Sequence, residues 1–205
     1  MITDFMRKNN KPTFVKVIDS AIEPVSLADM KLHLRVDGNS EDTVIASYQK
    51  AARNYCEEYT GRAFINQTWR MKTDDFPLSF YGDIELNCAP LSSITSITYI
   101  DVNGVSQTLS TDIYEVDTDS IVGKIRLKYN QSYPSVRDHP QSVTINYVVG
   151  YGDSTDDVPE HFIHAIKLLT SHFYESREPV SFNNNMYELP FSVKALLDIN
   201  RVYNL

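Results

Sequence analysis

Apolar and polar positions alternate along this chain with two different periods, and the changes of period divide it into three parts. Ser26 precedes Leu27, Met30, Leu32, Leu34 and Val36, a short helical run that ends near Asp37-Gly38. Ser26 suits the N-cap, and Asp29 stands three residues on as a capping-box partner. A second start signal, Ser40-Glu41-Asp42, opens a longer run in which Val44, Ile45, Tyr48, Ala51, Ala52, Tyr55, Cys56 and Tyr59 recur at helical spacing. Gly61 closes that run where a left-handed residue is needed, giving a helix of about 18 residues, or ~27 Å. Upstream, Thr13 to Ile18 reads as a short strand.

From residue 63 to 150 the period falls to two. Seven short stretches alternate or are rich in β-branched and aromatic residues: 68–72, 83–87, 94–100, 105–109, 114–116, 123–127 and 143–149. Asp101-Val102-Asn103-Gly104 is a hairpin signal between two of them. Turns this frequent predict a small antiparallel sandwich or barrel. Helical spacing then returns. Asp156-Asp157-Val158-Pro159 starts a helix with Phe162, Ile166, Leu169 and Phe173 on one stripe and Ile163, Ala165 and Leu168 widening it. That helix stops near Arg177-Glu178-Pro179, residues 180–188 have no period, and Leu189-Pro190 opens a last helix carrying Val193, Leu196, Leu197, Ile199 and Val202.

The predicted class is α+β: a small helical bundle with an inserted antiparallel β-sandwich or barrel-like segment and a C-terminal helical arm. The predicted division is 1–62 for an N-terminal tail and two core helices, 63–150 for the β insertion, and 151–205 for the third core helix, the loop and the last helix. Three turns are too few for a stable lone helix, so the last one must bury its stripe on its own core, on a neighbour or on a partner. Read as an assembly arm, it predicts that removal of residues 186–205 leaves a folded monomer that no longer assembles.

Composition narrows the function classes. The 205 residues hold 19 Lys and Arg against 27 Asp and Glu, a net charge of −8. Nine basic and nine acidic residues fall in 1–62, six and ten in 63–150, and four and eight in 151–205. Groove-reading DNA recognition needs a basic patch, which this balance does not supply. An acidic wall past which DNA slides is compatible with it, because repulsion prevents sticking. No apolar run is long enough to span a bilayer, and MITDFMRKNNKP has no apolar core of a signal peptide. The two cysteines, Cys56 in a helical pattern and Cys88 at a strand end, read as reduced thiols rather than a disulfide framework, as in a reducing cytoplasm.

The chemistry-bearing groups form no catalytic pattern. His161 and His164 are three apart with no glutamate between them, unlike a zinc-binding HExxH, and His172 lies two turns on from His164. Gly150-Tyr151-Gly152-Asp153-Ser154 lacks the third glycine of a dinucleotide loop and the lysine of a P-loop, and Asp156 and Asp157 follow it. It reads as a strand-to-helix turn with carboxylates on the helix dipole. The pairs Glu57-Glu58, Asp74-Asp75 and Asp156-Asp157 read as solvated faces. No catalytic, cofactor or metal site is predicted. Among the 13 tyrosines, the helix-borne Tyr48, Tyr55, Tyr59 and Tyr174 fit either a wet-rimmed core or a subunit interface.

Several phrases, in order and spacing, resemble one family. They are EPVSLADMKLHLRVD at 23–37, AARNYCEEYTGRA at 51–63, Gln67-Thr68-Trp69, Ala89-Pro90-Leu91, Val149-Gly150-Tyr151-Gly152, Val158-Pro159, HFYESRE at 172–178, and Leu189-Pro190-Phe191-Ser192-Val193 with Ala195-Leu196-Leu197. Together they are similar to the head–tail connector (adaptor) proteins of long-tailed bacteriophages and gene transfer agents, over nearly all of residues 22–202. The resemblance implies a non-enzymatic virion subunit, assembled in the host cytoplasm. It implies a ring, typically dodecameric, beneath the portal protein, which extends the DNA channel. The far side of that ring receives a tail-completion, stopper or terminator protein. Double-stranded DNA passes without sequence-specific binding, and no membrane is involved. The last helix is implied to reach the portal or a neighbouring subunit, through Val193, Leu196, Leu197, Ile199 and Val202. The long Asn183–Asn185 loop before it departs from the family pattern.

Two other classes remain open from the residues alone. One is a carbohydrate- or protein-binding β module resting on Trp69 and the tyrosines of 63–150. The other is a soluble host hydrolase using His161, His164 and Asp153.

Overall fold

The computed structural model describes residues 12–77, 82–176 and 191–202. The chain divides into two compact units, Met1–Asp19 with Asn66–Val149 and Ser20–Ile65 with Gly150–Leu205.

The helical unit begins with α1 (Leu27–Leu34), capped as its sequence predicts: the Asp29 N–H donates to Ser26 Oγ at 3.0 Å. α2 (Asp42–Thr60) ends at Gly61, which sits in the left-handed region at φ 68°. α3 (Glu160–Glu175) follows a single 3-10 turn (Thr155–Asp157), and α4 (Phe191–Asp198) completes the unit. The core joins Met30 of α1, Ile45, Ala52 and Cys56 of α2, Phe162, Ala165, Ile166 and Leu169 of α3, and Val193 and Leu197 of α4. Phe64 packs on Phe162, with ring centroids 4.6 Å apart.

The β unit holds two antiparallel sheets. The larger runs β1–β2–β8–β4–β5, formed by β1 (Thr13–Ile18), β2 (Gln67–Thr73), β4 (Leu91–Ile100), β5 (Ser106–Thr108) and β8 (Val143–Val149). The smaller runs β3–β7–β6, from β3 (Ile84–Glu85), β6 (Tyr114–Asp117) and β7 (Lys124–Leu127). Neither sheet closes on itself among the described residues, so the sandwich or barrel detail expected from the turn spacing is not confirmed. The mixed helix and antiparallel-sheet class holds. On β8 the alternation is complete: Val143, Ile145, Tyr147 and Val149 are buried and the residues between them are half-buried. Tyr147 Oη donates to the Asn87 carbonyl at 3.1 Å, and Gly123 leads into β7 so close to Leu91 that a Cβ there would lie 2.3 Å from the Leu91 Cβ. These contacts tie the segments flanking the small sheet to the large one. At the β4–β5 turn the Asp101 carboxylate accepts from the Asn103 and Val105 N–H groups at 2.9 Å each, the turn chemistry its sequence announces.

Two differences from the sequence-based expectation concern this division. The strand at 13–18 pairs with β2, Phe14 opposite Met71 and Lys16 opposite Trp69, and so belongs to the β unit although the N-terminal third was read with the helices. The last helix is not a free arm, as detailed below.

β2 leaves and β8 returns side by side, with Gln67 opposite Val149, and the Tyr151 N–H donates to the Phe64 carbonyl at 3.2 Å. The chain therefore exits and re-enters the helical unit at neighbouring points, and a short closure suffices. A chain running from Ser20 to Ile65, then a short Gly/Ser link, then Gly150 to Leu205 is expected to retain a cooperative helical melt by circular dichroism. A featureless melt would show that the helices depend on the sheet.

Candidate assembly surface

Polar anchoring of the helical unit centres on α2. Arg53, only 1% exposed, is flanked by Glu23 Oε2 at 2.9 Å and by Glu57 Oε2 at 3.1 Å. Glu57 also accepts the Phe64 N–H through Oε1 at 3.1 Å, so one carboxylate neutralises the guanidinium and fixes the chain as it leaves the helix. Beside them the Gln49 amide donates to the Val25 carbonyl. The sequence reading missed this group because charged residues at helical spacing read as solvated. The signal was available: Arg53 and Glu57 are i, i+4, and each follows a core position, Ala52 and Cys56.

The C-terminal turn is knit onto the last turn of α2. Tyr59 Oη donates to Asp198 Oδ1 at 2.8 Å, and the Arg201 guanidinium lies 4.2 Å from the Tyr59 ring centroid. Arg62 donates to the Asn200 carbonyl at 2.5 Å and reaches Tyr151 Oη at 3.1 Å, and the Val202 N–H donates to the Thr60 carbonyl at 2.8 Å.

This arrangement decides where the predicted docking residues stand. Val193 and Leu197 are fully buried in the subunit's own core, Leu196 packs half-buried against it, and Val202 is half-buried and held by its main chain. Ile199 is 65% exposed. The arm reading is corrected accordingly: an eight-residue helix cannot stand alone, and the groove offered by α2 and α3 is its nearest apolar seat. The stop near 177–179 and the loop at 180–188, with Asn183–Asn185, lie outside the described residues.

The two candidate hydrolase histidines stand in different settings. His161 Nε2 lies 3.0 Å from Asn200 Nδ2, and its ring packs on Phe162 at 4.1 Å. Burial, then the nearby Arg62 cation, pushes the His161 pKa down, which favours the neutral ring that accepts from the amide. His164 is exposed. Among the described residues no three His, Cys, Asp or Glu side chains gather as a metal-holding group. The glycine turn is filled from within: the Ser154 N–H donates to Asp157 Oδ2 at 3.1 Å, and a Cβ on Gly152 would lie 2.0 Å from that oxygen. The carboxylate thus covers the loop where a phosphate would have to sit. Trp69 is also engaged within its own sheet, its Nε1–H on Gln67 Oε1 at 3.2 Å and the Lys16 ammonium 5.8 Å from its ring. No described helix is long and apolar enough to cross a membrane.

Neither cysteine is part of a disulfide; Cys56 is buried and Cys88 half-buried. Burial, then the neighbouring Glu57 charge, pushes the Cys56 thiol up to about 12, so at pH 8 it is protonated and shielded. The native chain is expected to take up no more than one equivalent of a maleimide at pH 8, and two after denaturation. Rapid native labelling of Cys56 would show that α2 opens readily.

Comparison with known proteins agrees with this architecture. Residues 24–100 match the family model of phage gp6-like head–tail connector proteins, which bears out the resemblance carried by the ordered phrases. No curated protein matches the chain. Among solved structures, a chain from the neck of an empty gene transfer agent particle, computed with C6 symmetry, superposes with a TM-score of 0.77 at 22% identity. A chain from the virion of the native particle gives 0.75, and one from the native neck computed with C12 symmetry gives 0.73, both at 22% identity. Each comparison covers 94% of this chain and 97% of the other.

Proposed function

We propose that this chain, a member through residues 24–100 of the gp6-like head–tail connector family, is a structural subunit of the neck of a phage-like particle. The observation that carries the reading is the fold likeness over 94% of the chain to proteins of gene transfer agent necks, joined to the family match. Copies of the chain form a closed ring, twelve in number, beneath the portal protein. The opposite side of the ring receives a tail-completion, stopper or terminator protein. Assembly takes place in the host cytoplasm and the product resides in the virion.

The charge balance supports this role. Residues 63–150 carry six basic against ten acidic side chains and 151–205 carry four against eight. Such a wall repels phosphate and leaves passing double-stranded DNA mobile. The role is structural and calls for no catalytic group. Ile199 is the member of the predicted docking set presented to a partner without any rearrangement, whereas Val193 and Leu197 would first have to leave the core.

Negative-stain images of the concentrated chain test the reading. Rings of one diameter with a central opening are expected. A population of uniform single particles at every concentration would contradict ring assembly, and glycan binding abolished by Trp69→Ala would favour the β-module reading instead.

A further inference from the structure

We infer that the solvent-facing strip of α2 formed by Val44, Tyr48, Ala51 and Tyr55, continued by Tyr59 and Ile199, is the contact between adjacent ring subunits, and that a second copy of this chain covers it. The inference rests on the connector reading for the existence of the ring and goes beyond it in naming the surface.

The strip is a property of spacing. Residues 44, 48, 51 and 55 step by four, three and four, the rhythm of a helix–helix seam. They lie beside the core stripe of the same helix, Ile45, Gln49, Ala52 and Cys56, which is fully occupied by the subunit's own interior. α2 therefore has two adjoining apolar strips, one filled and one facing solvent. Val44 is 39% and Tyr55 41% exposed, Ala51 is exposed, and Tyr48 and Tyr59 are half-buried. The Tyr55 and Tyr59 rings stack with centroids 6.3 Å apart, and the Tyr59 hydroxyl holds Asp198, the residue before the exposed Ile199. The seam thus runs from the start of α2 to the C-terminal turn.

Its chemistry selects the partner. Tyrosines offer broad apolar rings with a polar tip, the composition of protein interfaces rather than of lipid-inserted faces. Positions 44, 48, 51 and 55 hold no Lys or Arg and Glu58 flanks them, while the Arg201 guanidinium at the far end of the strip lies on the Tyr59 ring, so the α2 part of the strip offers phosphate no cluster of cations. Four to six partly exposed side chains also fall well short of the ~800 Å² per partner of a stable pair. A free dimer held by this strip alone would be weak. In a closed ring each copy is held on two sides, and a different face of the neighbour meets the strip, which is the heterologous contact that cyclic symmetry requires.

Two measurements on the full chain test this. Sedimentation follows assembly across concentration for the wild type, Ala51→Glu and Tyr55→Glu, with thermal melts confirming that each variant is folded. In parallel, a photo-crosslinking phenylalanine analogue replaces Tyr55, and in a control chain the exposed Tyr129. Glutamate buried at the seam is expected to raise the concentration for half-assembly by ~10-fold or more, and the analogue at 55 is expected to yield copy–copy adducts that Ala51→Glu suppresses. Rings that form with unchanged midpoint in folded Ala51→Glu and Tyr55→Glu chains, without adducts at 55, overturn the inference and leave the connector reading standing. A wild-type chain that stays monomeric throughout and gives no adduct overturns the ring together with its seam.

Discussion

Arg53→Ala is expected to cost the helical unit ~3–5 kcal/mol, a large part of the ~5–15 kcal/mol that holds an ordinary domain folded. The guanidinium is 1% exposed and sits between two carboxylates, of which Glu57 is itself buried. Deleting the cation leaves the Glu57 carboxylate in the interior without its charge partner beside Ala52 and Cys56. The same carboxylate accepts the Phe64 N–H, so any outward movement of Glu57 frees a buried donor as well. Chemical denaturation gives the answer, with Asn54→Ala on the exposed side of the same helix as a reference expected within ~0.5 kcal/mol of wild type. A loss below ~1 kcal/mol for Arg53→Ala would mean that the ion-pair group does not anchor α2.

The second large effect lies in α4. Leu197→Ala is expected to cost ~2–5 kcal/mol, because the side chain is fully buried among α2 and α3 and its removal leaves a cavity. Ile199→Ala, two residues on and 65% exposed, is expected to stay within ~0.5 kcal/mol. Truncation before Phe191 removes Leu197 and Val193 together, each contributing ~1.5–3 kcal/mol by burial alone, and takes the Tyr59–Asp198 and Arg62–Asn200 contacts with them. The truncated chain is therefore expected to melt far below the intact one. If it melts at the same temperature, and Leu197→Ala matches Ile199→Ala, the helix acts as a detachable arm and its seat in the core is incidental.

Local signals carried much of this fold. Gly61 announced the end of α2 because a left-handed residue must be free of side-chain strain, and Ser26 announced the start of α1 because its hydroxyl satisfies an orphan N–H. β8 was legible because both its faces obey one alternation. β4 was less so. Its apolar residues Leu91, Ile94 and Ile97 are three apart, a spacing no regular strand supports, and two register shifts against β8 reconcile it with the sheet. Long-range choices were out of reach. The run at 13–18 showed a strand but not that its partner lies fifty or more residues away. The stripe at 193 and 197 showed that the last helix has a face to bury but not against what. The predicted docking set was split for that reason, two residues to the core and Ile199 to solvent. The resemblance to head–tail connectors supplied a functional reading that periodicity could not.

The most direct test of the connector reading is the solution mass of the full chain alone and mixed with the portal protein of the same particle. Dilute and alone, the chain is predicted to run near its 23.4 kDa subunit mass. With the portal it is predicted to form one discrete complex whose added mass is a whole ring of subunits, at a fixed ratio to portal copies. A chain whose mass the portal leaves unchanged, or which binds in no fixed ratio, would contradict the connector reading.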